Sequence, residues 1–128
     1  MVKATDFIKN RVVHPQELEV WYAIPAIRKE IAAKMKKRGL EQKEIARILG
    51  ITGAAVSQYF SNKRGKEINF NAKLKKEVEK STDRILKNND LIVKEVQRIL
   101  DLQEVREQLC EIHHKCRGAC NECRVCGI

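Results

Sequence analysis

At 128 residues, with a formal charge of +9 and 43% hydrophobic residues, the chain has room for one compact domain plus an appendage, and enough apolar material to bury its own core. No apolar run approaches the roughly 20 residues needed to span a bilayer, and the opening MVKATDFIKN lacks the apolar centre of a secretory signal, so a cytoplasmic location is expected. The charge is uneven: residues 28–66 hold eleven Lys or Arg against three Glu, so +8 of the +9 lies there, as a phosphate-binding surface requires, although a solvated helix face would explain some of these lysines equally well.

Residues 1–13 show too little periodicity to assign, though Phe7, Ile8, Val12 and Val13 suit a short helix or an arm. A helix is expected to start at His14-Pro15, because proline fits a first turn and Leu18, Trp21 and Tyr22 follow at helical spacing. Pro25 should then break or kink it, since it lacks an N–H and its ring meets the preceding turn. A further helix reaches about Arg38, with Ile27, Ile31 and Met35 as its buried stripe and Gly39 closing it. Trp21, the single tryptophan, reads as core or dimer contact rather than as a ligand platform.

The most informative stretch is QKEIARILGITGAAVSQYFSNKRG, Gln42 to Gly65. A helix over Gln42–Leu49 presents Ile45, Ile48 and Leu49 to a core, with Ala46 on the same side, where a second, steeply crossing helix must come close. Gly50 supplies the left-handed turn, Ile51 plugs it, and Thr52 caps a second helix, GAAVSQYFSN, whose Val56, Tyr59 and Phe60 point inward. What faces out is slim and polar: Gly53, Ala54, Ser57, Gln58, Ser61 and Asn62 suit a major groove, where such side chains bond base edges or touch a thymine methyl. Gln42, Thr52, Lys63, Arg64 and Lys66 complete the candidate DNA-binding set, the last three directed at phosphates. Two packed helices of an ordinary bundle are the bland alternative, and periodicity alone does not exclude it.

These residues resemble the Cro/cI-type (XRE) helix-turn-helix, in which a Gln opens the first helix, IA..LG.T..AVS.Y fills the middle and a basic KRG follows. The preceding EVWYAIPAIRKEIAAKM and the cysteines near the end resemble a group of small archaeal-type transcription regulators within that superfamily. The resemblance implies an all-α fold and a double-stranded DNA partner. One departure is Glu41, where the family has Ser or Thr; a long carboxylate caps a helix less well.

Beyond Gly65 a helix is expected from about Asn71 to Lys87, bearing Leu74, Val78, Ile85 and Leu86, followed by an Asn88-Asn89-Asp90 turn and cap. Leu91, Ile92, Val96, Ile99 and Leu100, then Leu102, Val105, Leu109 and Ile112, continue an apolar stripe, with Asp101 a restart point. The sequence therefore describes an all-α helix-turn-helix bundle of about five to seven helices with a cysteine-rich C-terminal loop. It divides into an arm and DNA-binding domain over 1–68, a helical packing or dimerisation segment over 69–109, and a metal or redox tail over 110–128. The apolar surplus after the motif favours a homodimer, which two-fold symmetric operators would match, over packing within the chain.

In a reducing compartment, five cysteines within the last nineteen residues point to metal ligands or redox thiols rather than disulfides. Cys116, Cys120, Cys123 and Cys126 carry the ferredoxin-type spacing in reverse order and lack its proline; they make an iron–sulfur cluster the leading cofactor, with Cys110 as a fifth candidate. Zinc on two-apart pairs is the rival, and a metal-free disulfide switch comes third. The function expected is a sequence-specific DNA-binding transcription regulator gated by that cluster. Its alternative is a non-specific nucleic-acid-binding or adaptor protein with a structural zinc site. With no nucleotide loop, nucleophile motif or acid–base pair in the sequence, an enzyme is not expected.

Overall fold

The computed structural model describes residues 12–63 and 65–115. In chain order the elements are α1 (Pro15–Leu18), a π-helical turn (Glu19–Ala23), α2 (Ile24–Lys37), α3 (Gln42–Leu49), α4 (Gly53–Phe60), α5 (Ala72–Lys87), a 3₁₀ turn (Asn89–Leu91), α6 (Ile92–Leu100) and α7 (Gln103–His113). The expected all-α bundle is therefore present. Among the described residues, no helix is long and apolar enough to cross a membrane.

α2 is the hub. Ile27, Ile31 and Met35 are fully buried, each contributing about 2–3 kcal/mol of apolar burial, and α3, α4, α5 and α6 all pack against this helix. The core is continuous from Val13 through Ile45, Val56, Leu74, Val78, Ile85 and Ile99 to Leu109. At Pro25, where a break or a kink is expected, the regular α-helix is interrupted by the π turn rather than ended. The Ile24 N–H reaches back to the Glu19 carbonyl, five residues away, and the backbone stays right-handed helical from Glu19 through Ile24. Widening that turn leaves room for the proline ring, which in a regular α-helix collides with the carbonyl four residues earlier. Trp21 lies in the widened turn at 37% exposure, edge-on to Tyr22, so it is not a core residue.

The C-terminal helices pack on the N-terminal ones. α7 lies against α1 and the π turn, and Ile99, Leu100, Val105 and Leu109 are buried within the chain. The apolar surplus that suggested a dimer is thus used internally. Asp101 does not restart a helix: it closes α6, accepts from Gln97 at 3.0 Å, and leaves Leu102 as the N-cap of α7.

Long-range polar contacts fix this arrangement. Arg106 pairs with Glu19 at 2.5 Å. The Gln108 amide brackets the backbone of Asn69, accepting from its N–H at 2.7 Å and donating to its carbonyl at 2.8 Å. His113, buried, bonds the Val13 carbonyl through Nε2 at 2.8 Å, so that nitrogen carries the proton. Between α5 and α6, Glu95 is 3% exposed and accepts from Ser81, Arg84 and Arg98 at 2.9, 3.1 and 3.2 Å. Burial opposes its ionisation, but those three donors outweigh it and hold the carboxyl below the usual glutamate range.

Candidate nucleic-acid interface

The two helices of the motif are built by their caps. After Leu49 the chain turns at Gly50, with φ +66° and ψ 33°; Gly50 N–H bonds the Arg47 carbonyl at 3.2 Å and Ile51 N–H bonds Ala46 at 3.0 Å. This paired closure needs a left-handed residue, for which glycine carries no Cβ penalty. Thr52 then caps α4 as expected, its Oγ1 accepting from Ala55 N–H at 3.0 Å. Glu41 occupies the N-cap of α3 without a side-chain bond, and the helix still begins at Gln42. Ile45, Ala46, Ile48, Leu49, Val56 and Tyr59 are buried as the pattern requires, while Phe60 is half-buried beneath the Lys36 ammonium, 4.4 Å from its ring centre.

The outward face of α4 contains Gly53, Ala54, Ser57 and Gln58, all exposed. Gln42 ties that face to α3: its Nε2 donates to the Gly53 carbonyl at 3.2 Å and to Ser57 Oγ at 2.6 Å. Two hydrogen bonds from one amide fix how far α4 is rotated against α3. They also give Ser57 a set orientation in which its own hydroxyl proton is free to point outward. Sequence reading placed Gln42 in the site; only the structure shows that it acts across the two helices.

α4 ends at Phe60, two residues before the expected boundary, and this changes how Ser61 and Asn62 are presented. Ser61 is the C-cap and its hydroxyl donates to the Gln58 carbonyl at 3.2 Å. Asn62 has φ +60°, with its N–H on Tyr59 at 3.2 Å and the Lys63 N–H on Gln58 at 3.0 Å. This is the same closure as at Gly50, with asparagine as the residue that tolerates the left-handed region. Its side-chain carbonyl accepts from Lys29 Nζ, so Asn62 anchors the loop as well as turning it.

Lys63 and Lys66 flank the end of α4, exposed and with no ion pair among the described residues; Arg64 lies outside them. Gly65, at φ +76°, is packed against α2 so closely that a Cβ would sit 2.8 Å from the Pro25 carbonyl oxygen and 3.0 Å from Lys29 Cβ. The basic loop is therefore held to α2 at two points, Lys29–Asn62 and Gly65–Pro25. Lys29 counted toward the basic segment in the sequence but gave no sign of this positioning role, because its partner is thirty-three residues away. Two other basic residues of the segment are engaged in ion pairs: Arg38 with Asp83 on α5, and Arg47 with Glu44 one turn away on α3.

A pair of helices joined by a tight glycine turn, the second capped by Thr52 and exposed along a narrow polar face, is a helix-turn-helix by geometry. Comparison with known families agrees: residues 31–68 match the family model described as Helix-turn-helix. The match, over that segment, supports a DNA-binding helix-turn-helix. No curated protein and no solved structure matches the chain.

Cys116, Cys120, Cys123 and Cys126 lie outside the described residues. Cys110 is on α7, half-buried and a free thiol. Among the described residues, no group of three or more His, Cys, Asp or Glu side chains could hold a metal ion.

Proposed function

We propose that this protein is a sequence-specific DNA-binding transcription regulator of the cytoplasm, with α4 as its recognition helix. The observation that carries this reading is the exposed face of Gly53, Ala54, Ser57 and Gln58, locked in orientation by Gln42 and flanked by cations in a basic loop pinned to α2. In the groove, Gln58 and Ser57 offer donors and acceptors to base edges, and Ala54 suits a thymine methyl. Lys63 and Lys66 reach phosphates, fixing register without reading sequence.

Selection of duplexes from a random pool, followed by competition against unselected duplex at fixed salt, tests the reading. The selected site should bind at least about a thousandfold tighter. Equal binding would leave a non-specific nucleic-acid or adaptor role. Within the selected site, Gln58→Ala should cost about 1–3 kcal/mol and relax choice at one or two positions.

A homodimer on a pseudo-palindromic site, with recognition helices about 34 Å apart, is the finer form of the proposal. Val20 on the π turn and Val93 on α6 are exposed apolar side chains that would suit pairing, and sedimentation of the free and DNA-bound protein tests it. The C-terminal thiols make the regulator metal-dependent, with an iron–sulfur cluster and zinc as competing occupants.

A further inference from the structure

Asn62 follows directly on the reading face, yet its side chain is already engaged from another element. Its carbonyl oxygen accepts from Lys29 Nζ, and an ammonium has only protons to offer, so which end of that amide is oxygen is settled by chemistry. The amide nitrogen, with its two donors, lies on the other side. Reading adenine takes both ends of an asparagine amide, the oxygen on N6 and the nitrogen on N7. With its oxygen committed to Lys29, Asn62 offers donors, and donors without an acceptor suit a backbone phosphate.

Lys29 is prepared for the same ligand. The residue is half-buried on α2, and its stem runs beside Gly65, where a Cβ would stand 3.0 Å from Lys29 Cβ. Because Asn62 holds the ammonium, much of the rotamer freedom that a lysine loses on being ordered is lost in folding rather than in binding. One of its three protons occupies Asn62, and two remain for a ligand. Among the described residues no carboxylate pairs with Lys29, Lys63 or Lys66, whereas Arg38 and Arg47 of the same basic segment are paired with Asp83 and Glu44. Three ammoniums without a carboxylate partner thus converge where α4 ends, Lys29 from α2 and Lys63 and Lys66 from the loop pinned against it.

We infer that Lys29 and Asn62 form a composite phosphate-binding pair, in which Lys29 contacts the DNA backbone from α2 and Asn62 donates to the same phosphate instead of reading a base. The inference rests on DNA binding through α4 but not on sequence choice. It carries the contact surface beyond the motif to the helix before it, and it leaves base reading to Gly53, Ala54, Ser57 and Gln58. Lys29 then has two tasks that share one geometry: it anchors the turn at Asn62, and its remaining protons face the anion that the turn presents.

The test measures binding of the full chain to selected and random duplex across a range of salt concentrations. Lys29→Met keeps the aliphatic stem and removes the charge, so the plot of log affinity against log salt should flatten by about 0.9 on both duplexes. Lys29→Arg should restore the slope. Asn62→Gly keeps the left-handed backbone and breaks the same tie, but leaves Lys29 charged. Its affinity should fall about three- to tenfold on both duplexes alike, with the slope and the base preference at every position retained. A tie that only holds the loop would give Lys29→Met and Asn62→Gly the same slope, because both variants break it. That result, or an altered base preference in Asn62→Gly, overturns the inference while leaving the DNA-binding reading in place. Failure of the unaltered protein to bind either duplex would remove both.

Discussion

Gly50 and Gly65 have similar positive φ, +66° and +76°, and very different surroundings, so alanine at the two positions separates conformation from packing. At Gly50 a Cβ meets nothing within 4 Å, and Gly50→Ala should cost only the left-handed conformation, about 1–2 kcal/mol. For a chain of this size that is a drop in Tm of about 3–8 °C. At Gly65 the same conformational cost applies, and the Cβ would also lie 2.8 Å from the Pro25 carbonyl oxygen and 3.2 Å from Ala26 Cα. Those are backbone atoms of the hub helix and cannot swing aside, so the loop itself must lift. Overpacking of this kind adds about 1–3 kcal/mol, for a total of about 2–5 kcal/mol and a correspondingly larger fall in Tm. Lifting the loop also moves Lys63 and Lys66 away from where α4 needs them. Gly65→Ala should therefore weaken binding to selected and random duplex alike, whereas folded Gly50→Ala should bind nearly as well as the unaltered protein. Thermal melts and titrations below the lower Tm provide both numbers. Equal Tm losses for the two variants, or intact DNA affinity in Gly65→Ala, would refute the claim that close packing on α2 positions the basic loop.

Replacing both Lys63 and Lys66 by Ala should flatten the plot of log affinity against log salt by about 1.8, at about 0.9 for each phosphate contact, and an unchanged slope would assign both lysines to solvent. Gln42→Ala removes both ties to α4 and should cost about 1–2 kcal/mol of stability by urea unfolding, with a larger loss on the selected site than on random duplex; the reverse pattern would argue against a role in orienting the reading face. Glu95 titrates below its ordinary range when folded, so its network is fully stabilising above the unfolded glutamate pKa of about 4.3 and is lost as the pH falls through the lower folded value. Glu95→Gln should thus cost about 2–3 kcal/mol at pH 7 and progressively less as the pH is lowered below the unfolded value, and a penalty independent of pH would place the contribution in packing rather than charge.

The helix-turn-helix was legible because its determinants are local. A left-handed glycine, a threonine cap, a small alanine and an inward valine act within a few residues of one another, and each excludes most alternatives at its own position. The helix ends were less legible. Asn62 reads from sequence as one more polar residue of the reading face, because the left-handed closure it makes with Tyr59 and Gln58 is seen only once the backbone is known. Pro25 illustrates the limit of a local rule. The sequence states the collision with the preceding turn but not its resolution, and the chain resolves it by widening Glu19–Ala23 and continuing as helix.

The partner of an apolar stripe is the part that sequence cannot supply. Ile99, Leu100, Val105 and Leu109 would look the same facing a second copy or facing α1 and α2. The choice is made by polar contacts spanning long separations: Gln108 to Asn69, Arg106 to Glu19, His113 to Val13. None has a periodicity to betray it, and each needs a backbone or side-chain partner at one specific place. Once these bonds bring α7 against α1, its stripe is filled from within the chain. His113 faces inward, so the next residue, His114, is left on the outside one turn from Cys110. The same packing that removes the sequence-based argument for a dimer thus places an imidazole and a thiol together at the start of the cysteine-rich end.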